Sequence, residues 1–370
     1  MKRVPELDGL RALAIIPVLF AHSIPIEHSR FHALAEYGWI GVDLFFVLSG
    51  FLITGILLDA KGQPGYFRNF YARRVLRIWP VYFALLLIVL KVIPHFRPET
   101  HDLAGFSSWY YVLFLQNLFP LPQFVPVLAP TWSLGVEEQF YLVWPLLISL
   151  LPKRVFPVVI TIALIASPLV RFATVHLTGD WLYVYVATFC RADGLLVGAA
   201  LAYWMRSDSF SKEKLLRFGR WALAMTIVPV AWIFSRGVAA RGQQSVFVYT
   251  LLAFAFGGLI ALALSPAASI WSRFLRLSPL QYLGKISYGL YLVHKLAFVV
   301  YEKSHLYTAL SVAGYPRLNM VIAFAAEVTL AILVASLSWY LFETPILKLK
   351  KHFEAPSEQP VLATGAAATI

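Results

Sequence analysis

Long apolar runs alternate along this chain with short polar connectors that are mostly basic. A helix that crosses a bilayer needs roughly 17 to 25 predominantly apolar residues to traverse about 30 Å of hydrocarbon. Ten runs approach or reach that length, at 10–24, 37–58, 76–94, 132–151, 154–172, 181–205, 218–235, 245–264, 285–301 and 318–341. The pattern predicts an all-α fold, a polytopic membrane helix bundle of about ten transmembrane helices. An eleventh run, 106–119, is shorter and leads into Pro120, Pro122, Pro126 and Pro130. Proline donates no backbone hydrogen bond, so this segment reads as re-entrant or interfacial rather than spanning.

The basic residues test that count independently, because cytoplasmic loops carry the excess of Lys and Arg. With ten spans both termini share a side. Lys2, Arg3, Arg11, the cations of 61–77, Lys153, Arg154 and those of 206–220, 273–285 and 348–351 then share it too. The other face keeps a scatter of Arg30, Lys91, Arg97, Arg171, Arg236, Arg241, Lys303 and Arg317. Letting 106–119 cross would invert every later loop and erase the bias, so both ends are expected in the cytoplasm. Residues 1–351 read as one membrane domain, and 352–370, with Pro356 and Pro360, as a disordered cytoplasmic tail.

Composition agrees with a lipid-solvated chain: 59% of residues are hydrophobic and 14% charged. The net charge of +12 comes from clusters beside apolar runs, where it orients the chain, which argues against a nucleic-acid partner. A single cysteine, Cys190, rules out an internal disulfide framework and a thiolate zinc cage. No small-residue cleavage site follows the first run, which is expected to stay as a membrane helix. Internal repeats are not evident, which weakens an inverted-repeat transporter.

Ionisable groups within hydrocarbon are costly unless paired or hydrated, so each is a candidate site. Here they are His22, Asp43, Glu137, Glu138, Arg191, Asp193, His294, Lys295 and Glu327. His22 lies eleven residues beyond Arg11, about 16 Å along a helix axis, in the outer half of the first span. Asp43, at the outer start of the second span, is expected at a similar depth, and Glu137 and Glu138, just after Trp132, in the same outer layer. A histidine oriented by a carboxylate, Asp43 or Glu137, is equipment for deprotonating a hydroxyl near neutral pH. The blander reading makes His22 a hydrogen-bonding strut. Arg191 and Asp193, two apart on a helix, cannot face each other, and also read as a stabilising network to different helices. His294 and Lys295 either line a watery path or, for Lys295, snorkel outward. Cys190 reads as inert packing, and the glycines between 41 and 55 as close helix contacts.

Between Tyr66 and Arg77, a loop by this reading, Arg68, Arg73, Arg74 and Arg77 interleave with aromatics. Guanidinium forks and rings suit a diphosphate and a purine. Topology and anionic lipid headgroups account for such a cluster as well.

Several segments together resemble the acyltransferase 3 family of integral membrane O-acyltransferases. They are Leu7-Asp8-Gly9-Leu10-Arg11 with His22, the helix-two run from Gly41 through Asp43 to Ile53, and Arg73-Arg74 with Arg77, Pro80 and Tyr82. Thr131-Trp132-Ser133-Leu134 with Glu137, Arg191 with Asp193-Gly194, Ile286 through Tyr291 to His294, and Phe342-Glu343 with Pro345 follow in order. The resemblance implies an acyl-CoA donor, commonly acetyl-CoA, used from the cytoplasmic face of a bacterial inner membrane. It implies a carbohydrate or glycoconjugate acceptor at the outer face. It carries the family's first-helix Arg and His onto Arg11 and His22, and its basic loop onto Arg74 and Arg77. The extracytoplasmic esterase-like domain of some larger members is missing, so transfer is expected to finish without a fused partner.

The expected assignment therefore makes His22, Asp43, Glu137 and Arg191 catalytic, with Arg191 steadying an oxyanion. Arg11, Arg73, Arg74 and Arg77 hold the donor, while Trp132, Asp193 and His294 complete a polar network around the acceptor. No metal is expected, since the His and carboxylate residues lack tight ligand spacing. The competing class is a proton-coupled transporter or flippase with the same buried groups as a relay.

Overall fold

A chain in hydrocarbon must satisfy its backbone polar groups internally, and a helix does so within one segment. Each of the ten apolar runs is centred on a helix in the computed structural model. The structure describes residues 4–23, 26, 31–96, 108–118, 125–236, 241–265, 270–304, 309–310, 312 and 314–353. The long helices are α1 (Pro5–His22), α2 (Ile40–Ala60), α3 (Tyr66–Leu87), α4 (Trp132–Leu150), α5 (Phe156–Thr178), α6 (Thr188–Trp204), α7 (Lys212–Arg236), α8 (Arg241–Leu264), α9 (Ser278–Glu302) and α10 (Pro316–Ser338). No strand interrupts them among the described residues. The protein is an all-α polytopic membrane protein.

Among the described residues, seven segments are long and apolar enough to cross a membrane. Of the helices outside that group, α1 and α4 carry polar residues that lower their hydropathy: Glu6, Asp8 and Arg11 in the first, Glu137, Glu138 and Gln139 in the second. The 106–119 segment contains a four-residue helix, Trp109–Val112, followed by turns to Leu118. That helix is too short to span. Gln116 and Asn117 anchor the turns inside the bundle by donating to the Thr131 carbonyl (2.8 Å) and the Val186 carbonyl (3.1 Å). The expected tail begins as a short 3-10 turn, Lys348–Phe353; residues 354–370 lie outside those described, as do Lys2, Arg3, Arg30 and Arg97.

Helix ends overshoot the apolar runs. The basic segment expected to be a loop is the first half of α3, which starts at Tyr66. Hydropathy reports only the part of a helix in hydrocarbon, so a basic, aromatic extension is invisible to it.

α2 and α6 form the centre: 72% of the apolar window of each is buried, against 17% for α5 and 22% for α10, which face outward. Backbone meets backbone where α2 crosses α6. A Cβ on Gly50 would lie 1.9 Å from the Leu195 carbonyl oxygen, and one on Gly198 2.1 Å from that of Val47. Small residues allow this approach where no hydrophobic effect drives helices together. Polar ties lock one end of the bundle. Arg206 clamps Asp59 through two bonds of 2.6 and 2.8 Å, and Lys61 donates to the Ile148 and Leu151 carbonyls at the end of α4. Glu6 accepts from Ser272 (2.8 Å) and from Arg276, which approaches to 2.6 Å.

Candidate active site

Two polar layers lie inside the bundle where one was expected. The first is at the end of α1 farther from those ties. His22 and His294, on α1 and α9, meet edge to edge, with His22 Nδ1 and His294 Nε2 3.0 Å apart. His294 is fully buried, and its Nδ1 sits 2.7 Å from the Tyr291 carbonyl oxygen. The Tyr291 hydroxyl donates to the Pro130 carbonyl (2.9 Å) and is 2.7 Å from Ser133 Oγ, which keys α9 to the start of α4. Ser23, next to His22, donates to Glu327 of α10 at 2.6 Å.

Asp43 and Arg191 pair with each other. Arg191 Nη2 reaches Asp43 Oδ1 at 2.6 Å, both side chains essentially without exposure. The guanidinium sits 3.7 Å from the Tyr249 ring centre, with Tyr185, Trp132 and Phe46 between 5.3 and 5.8 Å. This aromatic box leaves Arg191 Nε and Nη1, and Asp43 Oδ2, buried without a hydrogen-bond partner. Trp132 adjoins Ser133, so the box borders the histidine pair through Ser133 and Tyr291.

The second layer lies toward the tied end. Glu137 accepts from Ser49 (2.6 Å) and Tyr141 (3.2 Å), with Arg11 and Arg74 in electrostatic range. Ser49 is six residues beyond Asp43 on α2, about 9 Å along the axis, so Glu137 does not share Asp43's depth. Neither carboxylate expected to orient His22 supplies its observed ring partner, which is His294. Glu138 accepts from the Trp79 indole at 3.1 Å.

Arg11, Arg74, Arg77 and Lys350 sense one another's charge. Arg73 and Arg77 are one turn apart on α3, as are Arg74 and Arg77, so the register of α3 gathers them. Arg11 also bonds Asp8 at 3.2 Å, and Arg74 lies over the Phe70 ring with its Nε buried and unpartnered. A cleft beside this cluster is lined by Arg73, Arg74, Asn69, Tyr66, Phe70 and Phe353 among others. Cations clustered beside a cleft favour a polyanionic ligand. Among the described residues no three His, Cys, Asp or Glu side chains gather as a metal site requires.

Asp193 pairs with Arg171 (2.9 Å), as two-residue spacing from Arg191 demands. The sequence reading counts Arg171 among the scattered cations of the outer face, yet it is fully buried on α5. The available signal was its place in an apolar run: the helix continues seven residues past it, to Thr178. Lys350, in the turn after α10, gave no signal beyond its charge.

The family profile described as an acyltransferase domain matches residues 4–342. Among similar proteins, the peptidoglycan O-acetyltransferase OatA of Listeria monocytogenes is 33% identical over 94% of this chain and 56% of its own length. The O-acetyltransferase OatA of Staphylococcus aureus is 30% identical, covering 95% of this chain and 58% of its own. The putative peptidoglycan O-acetyltransferase YrhL of Bacillus subtilis is 30% identical, covering 93% and 55%. The chain thus spans a little over half the length of these relatives.

Proposed function

This chain belongs to the acyltransferase family, and from that premise we propose that it is a membrane-embedded O-acyltransferase, moving an acetyl group from acetyl-CoA to a carbohydrate hydroxyl of the cell wall. The observation that carries the reading is α1 itself, which holds Arg11 in the cation cluster and His22 in the histidine pair, about 16 Å apart along one helix. Relatives with peptidoglycan in their names support the acceptor class. The alternation of basic connectors supports both termini in the cytoplasm of a bacterial inner membrane, with the donor entering there and the acceptor arriving from outside.

The donor fits the chain's own groups: Arg11, Arg73, Arg74, Arg77 and Lys350 offer charge to its phosphates, and the unpartnered Arg74 Nε offers a donor. Bound acetyl-CoA supplies an activated thioester. His22 Nε2 accepts the proton of the acceptor hydroxyl while that oxygen attacks the thioester carbonyl. As the carbon–sulfur bond breaks, His22 returns the proton to the departing thiolate, leaving an ester and free thiol. Arg191, with two N–H groups to spare in a dry aromatic box, stabilises the negative charge on the carbonyl oxygen. Trp132 walls that box.

The test is transfer of label from acetyl-CoA to cell envelopes by membranes holding the parent chain, His22→Ala or Arg74→Ala/Arg77→Ala. His22→Ala is expected to lose at least about 10²-fold in rate, and the double variant to raise the KM for acetyl-CoA. Undiminished transfer by His22→Ala removes the base, and movement of a substrate across the membrane without acylation removes the enzyme reading.

A further inference from the structure

A histidine base works only if its unprotonated nitrogen is the one turned to the acceptor. We infer that His294 is the positioning residue of this site, holding His22 in the tautomer whose Nε2 is bare; this rests on the reading of His22 as the base. The chain of reasoning is a proton count. A carbonyl oxygen only accepts, so the 2.7 Å contact to Tyr291 places a proton on His294 Nδ1. A neutral imidazole carries one N–H, which leaves His294 Nε2 as a lone pair facing His22 Nδ1 at 3.0 Å. His22 Nδ1 therefore donates, and its Nε2 is left basic. The Val18 carbonyl of α1 is a further acceptor for the His22 ring, so His294 and Val18 together bear on which ring nitrogen carries the proton.

The surroundings hold His294 in place. It has no exposed surface, its ring meets that of Phe298 edge-on at 5.8 Å, and Tyr291, which supplies its carbonyl, is pinned to Pro130 and Ser133. During transfer the hydroxyl proton goes to His22 Nε2 and leaves again with the thiolate, while the Nδ1 proton stays on His22. The His294 lone pair accepts that N–H throughout, and more strongly while the His22 ring is cationic. A neutral ring thus takes the place usually given to a carboxylate. The charged groups facing the pair are Lys295, on α9 itself, and Glu327, which reaches it from α10 through Ser23.

Two amides separate orientation from mere support, because a glutamine amide reaches the position of His294 Nε2 and an asparagine amide that of Nδ1. His294→Gln keeps an acceptor for His22; His294→Asn keeps only the bond to Tyr291. With the full chain in membranes, acetyl-CoA as donor and cell envelopes as acceptor, His294→Gln is expected to retain kcat within about tenfold of the parent. His294→Asn and His294→Leu are expected to lose about 10²- to 10⁴-fold, with the KM for acetyl-CoA unchanged. Equal kcat for the Gln and Asn variants, or a parental rate for His294→Leu, overturns the inference. If His294→Leu does not accumulate, the Gln and Asn pair still decides. Full transfer by His22→Ala would instead fell the reading beneath it, so the two failures are told apart.

Discussion

Two arginines in this protein are equally buried, both pair with an aspartate, and they are used differently. Arg171 spends its donors on protein: the Val246 and Cys190 carbonyls, the Thr250 hydroxyl and Asp193, with Thr250 also donating to Asp193. Arg191 makes one bond, to Asp43, and otherwise lies against aromatic faces that cannot accept its remaining N–H groups in plane. A buried cation with its hydrogen bonds consumed ties α5, α6 and α8 together. One with donors to spare is available to an oxygen that is not part of the protein. Burial and charge alone do not distinguish these two arginines; the hydrogen-bond ledger does, and the role proposed for Arg191 rests on it.

The contrast breaks if the two arginines respond alike to substitution. Arg171→Met leaves Asp193 charged and unpaired in the interior, a loss of about 3 to 5 kcal/mol. The expected outcome is a sharp fall in folded protein recovered from membranes, with the specific activity of the surviving fraction unchanged. Arg191→Lys keeps a cation for Asp43 but loses the fork. Parental amounts of folded protein with a kcat lower by about 10²-fold are expected, measured by labelled acetyl transfer at saturating donor. A parental kcat would return Arg191 to the structural class.

A third ion pair, at the edge of the bundle, calibrates the small end of the scale. Burial raises the Glu6 carboxyl, but bonds from the backbone, Ser272 and Arg276 outweigh it and hold the group below its ordinary value. A depressed carboxylate contributes stability above its unfolded pKa of about 4.3 and loses it as pH falls through the lower folded value. Glu6→Gln is expected to cost about 1 kcal/mol at pH 7. The difference from the parent should shrink as the pH is taken below 4, read as thermal unfolding of the full chain at both pH values. A difference that grows in acid would reverse the sign argued here.

Much of the architecture was legible from hydropathy. The runs at 37–58 and 245–264 match α2 and α8 closely at their C-terminal ends, where both stay apolar almost to the last turn. The run at 76–94 missed the first ten residues of α3, because Tyr66 to Val75 is amphipathic and basic, a composition that reads as loop. The candidate site was legible as a list. His22, Asp43, Glu137, Arg191 and His294 were found because ionisable residues are rare in apolar runs. Their pairing was not, and Arg171, although inside the run at 154–172, counts there as an outer-face cation because it sits one residue from that run's end.

By itself the sequence determined that this chain is a stack of membrane helices, because a helix closes its own backbone bonds whatever surrounds it and lipid tolerates little else. It also determined which few residues carry charge into that stack. Only the tertiary structure decided that His22 faces His294, 272 residues away, and that Asp43 belongs to Arg191, 148 residues away. The physical reason is that a side chain's partner depends on helix rotation and crossing, and here those are set by glycine contacts such as Gly50 on Leu195 and Gly198 on Val47, between segments no local pattern connects.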